Sequence, residues 1–169
     1  VECLKDLADA VNVTDGAGAK SHMSALATAV ILAQNSIEPV LQFTTRDRNR
    51  IAIQGDLLGG WALNVPNILC LYGDEVKGGD QPETREVRDL DTISLLKTAH
   101  DIKINKTYPS GRKIEDAPEF FIGGADTPFE VKDDFDGTNL IKKINAGVEF
   151  FQTQYAFDEV VLKNYMMKL

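Results

Sequence analysis

The stretch Pro39-Val40-Leu41-Gln42-Phe43-Thr44-Thr45-Arg46-Asp47-Arg48-Asn49-Arg50 decides the fold. Its first part, residues 39–43, is a short apolar run, and a polar, charged turn and a helical pattern over 48–63 follow it. The apolar run is continuous rather than alternating, which is typical of a strand covered on both faces in a parallel sheet. This stretch therefore predicts one β-strand followed by one α-helix.

The same unit recurs along the chain. Apolar runs begin at residues 10, 39, 67, 120 and 150, and three of the four intervals are about 30 residues, the length of a βα unit. The runs predict strands over 10–13, 39–43, 67–71, 120–123 and 150–154. Helical patterns cover 21–35, 48–63, 91–100, 138–146 and 158–169, and residues 1–7 resemble the end of an earlier helix. The long third interval holds two polar insertions, 73–90 and 103–118.

These units define an α/β chain with a parallel sheet. Two architectures fit the pattern: an open doubly wound sheet, or part of a (β/α)8 TIM barrel, for which five strands are too few. Periodicity leaves both open. At the helix ends we expect Asp91 to be an N-cap and Gly147 to follow a C-terminus, and Asp47 to be an N-cap where the charged run beside it forms a solvated first helical turn.

Composition excludes several classes of protein. The chain has 169 residues, of which 43% are hydrophobic and 26% charged, as in a single soluble globular domain. A net charge of −8 argues against nucleic acid or an anionic membrane as the main partner. No apolar run approaches the ~20 residues of a membrane span. The two cysteines, Cys3 and Cys70, form neither a disulfide framework nor a zinc site, so we expect no metal and a cytoplasmic location.

Two motifs admit competing interpretations. The segment Asp15-Gly16-Ala17-Gly18-Ala19-Lys20-Ser21 resembles a phosphate-binding loop, but Ala19 stands where that motif needs glycine before the lysine. It is better interpreted as a glycine-rich turn. The three arginines Arg46, Arg48 and Arg50 could hold a phosphate or carboxylate, or could form a solvated first helical turn.

Polar or small residues stand at the carboxyl ends of all five predicted strands. They are Thr14, Gln42, Asp74, Gly124 and Gln154. In barrels and open α/β sheets alike this edge is the ligand face, so their convergence predicts a ligand site. Asp74 could instead bond the backbone of its own turn. Gln154 offers both a donor and an acceptor, which suits the amide edge of a heterocycle.

At these residues the chain resembles the methylenetetrahydrofolate reductase family, flavin-dependent barrel enzymes of one-carbon metabolism. The resemblance covers nearly the whole chain, in family order, through residues 12–18, 38–50, 67–74, 121–128, 143–147 and 152–154. It implies a (β/α)8 barrel that binds FAD, rather than FMN, at the strand ends. NAD(P)H would reduce the flavin, which would pass hydride to 5,10-methylenetetrahydrofolate and give 5-methyltetrahydrofolate.

The resemblance also implies roles for individual residues. Thr14 would contact the flavin phosphate or ring, as would Gln42, where many members have histidine. Asp74 would be catalytic, lying beside flavin and pterin, and Gln154 would pair with the pterin. Two further pairs complete the implied site: Gly123 and Gly124 would leave room for the cofactor, and Asp136 and Lys143 would hold its adenosine diphosphate half.

The family's general acid is a glutamate on the first barrel strand, in a run that this sequence lacks. We therefore expect residues 1–169 to be a single, partial β/α-barrel catalytic domain covering strands two to six. One alternative is a non-catalytic flavin- or folate-binding subunit, and another is a flavin-free relative acting on a different one-carbon carrier. Because open sheet edges associate, we expect a homo-oligomer or a subunit of a larger complex.

Overall fold

A computed structural model describes residues 7–132 and 135–169 of the chain. The predicted helix over 1–7, with Cys3, lies outside this part except for its last residue. The described residues form five strands: β1 (Val11–Val13), β2 (Pro39–Thr44), β3 (Asn67–Leu71), β4 (Phe121–Asp126) and β5 (Phe150–Thr153). The same part of the chain forms five α-helices: α1 (Ala25–Gln34), α2 (Arg50–Ala62), α3 (Thr92–His100), α4 (Thr138–Asn145) and α5 (Glu159–Lys168). A π-helical turn, Asp101–Asn105, extends α3.

The order of the strands decides between the two predicted architectures. All neighbours are parallel and follow chain order, β1-β2-β3-β4-β5, without the reversal that a doubly wound sheet requires. Helices α1 to α4 also contact one another in chain order. One layer of helices along one face of a singly wound sheet is the arrangement of a β/α half-barrel.

The core lies between the sheet and this helix layer. Alternate strand residues such as Leu41, Phe43 and Ile68 are buried there against α2 residues Ile53 and Leu57. The opposite, concave face is only partly covered in the described residues, and it carries polar side chains. The prediction of strands covered on both faces is therefore wrong for this face, whose polar residues line the site described below.

The residues that cap the helices can be compared with the predicted caps. Asp91 caps α3 by accepting the Ser94 N–H at 2.7 Å, and Gly147 follows α4 with φ +105°, so both predictions are confirmed. The prediction that Asp47 caps the next helix is wrong. Asn49 caps α2, its Oδ1 accepting two backbone N–H groups at 3.1 Å, while the Asp47 carboxylate is paired with Arg46.

Candidate functional site

A cavity of about 450 Å³ opens at the carboxyl ends of the strands. Four predicted site residues line it: Thr14, Gln42, Asp74 and Gln154. They follow or end four different strands, and parallel winding brings those ends to one edge of the sheet. The predicted convergence of these four residues at one edge of the sheet is therefore confirmed, and the binding of a ligand there remains a prediction.

Alternation along the strands explains why the cavity wall is polar. Asn12, Gln42 and Gln152 lie on the concave face, while intervening residues such as Val13 and Phe43 enter the core. The Asn12 Oδ1 atom is buried and has no hydrogen-bond partner among the described residues. A buried acceptor without a partner is unusual and marks a position where a ligand N–H would be stabilised. Sequence analysis did not single out Asn12.

Asp74 binds a distant turn rather than its own. Its Oδ2 accepts the backbone N–H of Gly18 at 2.7 Å, across 56 residues of sequence. The short 3-10 turn Ala17–Ala19 supplies this donor, and both glycine φ angles around it, at Gly16 and Gly18, are positive. The glycine-rich segment therefore serves as a turn that approaches the carboxylate closely.

The three arginines after β2 form ion pairs and hydrogen bonds with other residues of the protein. Arg46 pairs with Asp47 and donates to the Gly16 carbonyl, and its side chain is only 4% exposed. Hydrogen bonding to Asp47 raises the pKa of Arg46. Arg50 pairs with Asp89 at 2.8 Å. Each side chain is thus paired within the protein, which argues against the predicted anion site, while Arg50 is 51% exposed in the first turn of α2, as the alternative prediction has it.

Arg48 completes this set by joining two strand ends. It donates to Asp15 and, at 2.9 Å, to Asp56. The Asp15 carboxylate also accepts the Thr44 N–H at 2.9 Å and the Thr44 hydroxyl at 3.0 Å. These bonds fix the ends of β1 and β2 relative to each other at the cavity, which Asp15 and Thr44 both line.

A second cavity of about 570 Å³ adjoins the first, and Leu71, Tyr72, Ala125 and Gln154 line both. Two predicted residues line it, Asp136 and Lys143. The Asp136 carboxylate accepts the Thr138 N–H and hydroxyl at the start of α4, which lowers its pKa. The Lys143 ammonium donates to the Ala125 carbonyl.

Helix α5 contributes Tyr165 to the lining of this second cavity. The buried Tyr165 donates its hydroxyl to Asp126 at 2.7 Å and packs against Phe129 and Phe135. Burial, followed by the bond to Asp126, raises the pKa of Tyr165, so the hydroxyl stays protonated and remains a donor.

Gly123 and Gly124 lie within β4 rather than after it, and neither lines the two cavities. A Cβ on Gly123 would lie 2.3 Å from the Phe150 ring, and one on Gly124 would lie 3.0 Å from Val148. The space that these glycines leave is taken by side chains next to and within β5. Their contact with a cofactor remains a prediction.

The insertion after β3, residues 73–90, folds back onto the turn that carries Asp74. The Arg88 guanidinium donates to Glu86 at 2.7 Å and to the carbonyls of Tyr72, Gly73 and Asp74. Glu86 in turn accepts the Val76 N–H at 2.9 Å. Sequence analysis missed Glu86 and Arg88, because a polar insertion has no periodicity that distinguishes a charge paired within the protein from a solvated one.

Acid should loosen this insertion. Bonds from Arg88 and Val76 lower the pKa of Glu86 from its ordinary 4.5 to about 2. A depressed pKa in the folded state gives stability that is complete above pH 4.5 and is lost as the pH falls toward 2. Thermal unfolding midpoints of the wild type should therefore fall more between pH 5 and pH 3 than those of Glu86→Gln. Equal slopes for both proteins would contradict this assignment.

Together, the winding and the cavities define a β/α-barrel-type protein with two adjoining cavities at the carboxyl edge of its sheet. The family model for methylenetetrahydrofolate reductase matches residues 2–169, and the chain belongs to that family. Membership suggests an oxidoreductase of the methylenetetrahydrofolate reductase type, in a family that is generally flavin-dependent. No curated protein matches the chain. In residues 7–132 and 135–169 no helix is long and apolar enough to cross a membrane.

Proposed function

We propose that this chain binds FAD along the two adjoining cavities and uses NAD(P)H to reduce 5,10-methylenetetrahydrofolate to 5-methyltetrahydrofolate. The observation that carries the proposal is the placement of Asp74 and Gln154 together in the strand-end cavity of a family member. Gln154 also lines the second cavity, so a ligand in both would pass it.

The donor set fits an elongated dinucleotide. Each cavity lies within the ~300–1,000 Å³ of small-molecule sites, and they share one wall. The first is polar on its strand side and contains the unpartnered Asn12 carbonyl, which suits the imide N–H of a flavin ring. The second offers the Lys143 ammonium, a point charge suited to a phosphate.

When bound, the flavin would supply the redox chemistry, the transfer of hydride from reduced nicotinamide to the folate methylene carbon, and the nitrogen released from the methylene bridge would take a proton from water. The protein's residues bind and orient. Thr14 and Gln42 would contact the flavin, and Gln154 would pair with the donor and acceptor edge of the pterin. The Asp74 carboxylate, held by Gly18, would place negative charge beside both rings and orient the folate.

Absorption spectroscopy of the purified protein tests the proposal. After addition of FAD, the protein should retain a flavin spectrum through gel filtration. Reduced nicotinamide should then bleach it anaerobically, and methylenetetrahydrofolate should restore it. Failure to bind FAD would contradict the proposal. Bleaching without reoxidation by folate would instead support a non-catalytic flavin-binding subunit.

The variant Lys143→Met tests whether the second cavity holds the adenylate half of FAD. The variant should lose affinity for FAD by on the order of tenfold, the value of one charge-assisted contact, while its affinity for FMN changes little. FMN lacks the adenylate half, so it serves as the matched ligand, and titration of flavin fluorescence measures both affinities. An equal loss for FAD and FMN would remove Lys143 from the adenylate site.

A further inference from the structure

We propose that Arg88 is a positioning residue for Asp74, acting by fixing the backbone of the turn Tyr72-Gly73-Asp74. The proposal rests on the proposed function, because Asp74 is the group through which Arg88 would act. It goes beyond that function, since Arg88 stands in an insertion after β3 and does not line either cavity.

The Arg88 guanidinium spans three consecutive carbonyls. Nη1 donates to the Tyr72 oxygen at 2.5 Å, and Nη2 donates to Gly73 at 3.2 Å and to Asp74 at 3.3 Å. Nε donates to Glu86 at 2.7 Å. All three nitrogens therefore donate to protein oxygens, so this arginine holds the chain rather than a phosphate or a carboxylate of a ligand.

The surroundings hold the guanidinium in one orientation. Its central carbon lies 3.7 Å from the centroid of the Tyr72 ring, and the side chain is 12% exposed. Arg88 itself has a positive φ of +44°, a conformation that is uncommon for a residue with a Cβ atom and costs free energy. The Val87 N–H donates to the Arg46 carbonyl at 2.7 Å and fixes the adjoining backbone.

The turn is fixed on its other side by the Asp74 carboxylate, which accepts the Gly18 N–H. Arg88 therefore sets the backbone from which the Asp74 side chain projects, and Gly18 sets the carboxylate. Lysine cannot replace this arginine, because an ammonium lacks the planar fork and the stacking surface. Loss of the fork frees three carbonyls and allows Asp74 to shift, and a shift of about 1 Å costs on the order of a hundredfold in a catalytic step.

The test compares Arg88→Met and Arg88→Lys with Arg85→Met, which removes the same charge from an exposed position of the same insertion. In FAD-loaded protein, both Arg88 variants should slow reoxidation by methylenetetrahydrofolate at least tenfold and leave reduction by nicotinamide within twofold. Arg85→Met should leave both half-reactions unchanged. Equal losses in both half-reactions, or loss of FAD from both Arg88 variants, would overturn the positioning role.

A double-mutant cycle tests whether Arg88 acts through Asp74. Adding Arg88→Met to Asp74→Asn should slow folate reduction little further, because the group being positioned is already lost. Multiplying losses would overturn the proposal. Hydrogen exchange of the Gly18 amide gives a readout without flavin: protection should fall in Arg88→Met and not in Arg85→Met. Unchanged Gly18 protection would overturn the proposal, whereas failure of FAD binding in the wild type would overturn only the proposed function.

Discussion

Asp74→Asn should slow reoxidation of the reduced flavin by methylenetetrahydrofolate by on the order of a hundredfold, with FAD still bound. Asparagine has the same shape and can still accept the Gly18 N–H through its Oδ1. The substitution therefore keeps the turn and removes only the negative charge. Stopped-flow absorbance under anaerobic conditions measures the folate half-reaction separately from the nicotinamide half-reaction.

The charge is the quantity that this substitution isolates. Asp74 lines the first cavity, so in the proposed complex its carboxylate would face the bound rings. Asp80→Asn is the matched control, because it removes one negative charge from an exposed position of the same insertion. That control should leave both half-reactions unchanged. An unaltered folate half-reaction in Asp74→Asn would remove Asp74 from the mechanism.

Local pattern predicted the strands well where both ends have turn signals. The predicted strand 67–71 matches β3, and the strand predicted over 39–43 is one residue shorter than β2. In contrast, β4 continues through Gly123 and Gly124 to Asp126, because Ala125 and Asp126 pair with Gln152 and Thr153. The glycine pair suggested an early end to the strand, and only the pairing with β5 overrides that suggestion.

For the candidate site, too, the sequence predicts what depends on local pattern and misses what depends on long-range contacts. Thr14, Gln42, Asp74 and Gln154 could be predicted because parallel strands bring their carboxyl ends to one edge. The hydrogen-bond partners that hold the site residues in place could not be predicted. The partners of Asp74 and Asp15 lie 56 and 29 or more residues away, and Arg88 reaches its carbonyls from an aperiodic insertion. Which charges meet depends on how loops pack, and one sequence carries no periodic signal of that.

Gly79→Ala should push the insertion 73–90 away from the turn Ala17–Ala19, whereas Gly78→Ala should leave the two in contact. A Cβ on Gly79 would lie 2.1 Å from the Ala19 carbonyl oxygen and 2.9 Å from its carbon, both backbone atoms. Among the described residues no atom lies within 4 Å of a Cβ on Gly78. Overpacking against a backbone that cannot rotate away costs ~1–3 kcal/mol. We expect Gly79→Ala to lose this stability in urea unfolding.

Gly78→Ala is a matched control because Gly78 adjoins Gly79 in the same insertion. Alanine restricts the unfolded chain equally at both positions, an effect of about 0.4–1 kcal/mol in favour of folding, so the difference between the variants isolates the clash. Ala19 is itself held at φ +53° and follows Gly18, whose N–H binds Asp74. Moving the insertion away from Ala19 therefore disturbs the Asp74 contact as well, and Gly79→Ala should weaken FAD retention. Equal stability and equal FAD retention in the two variants would show that the insertion does not depend on the close contact between Gly79 and Ala19.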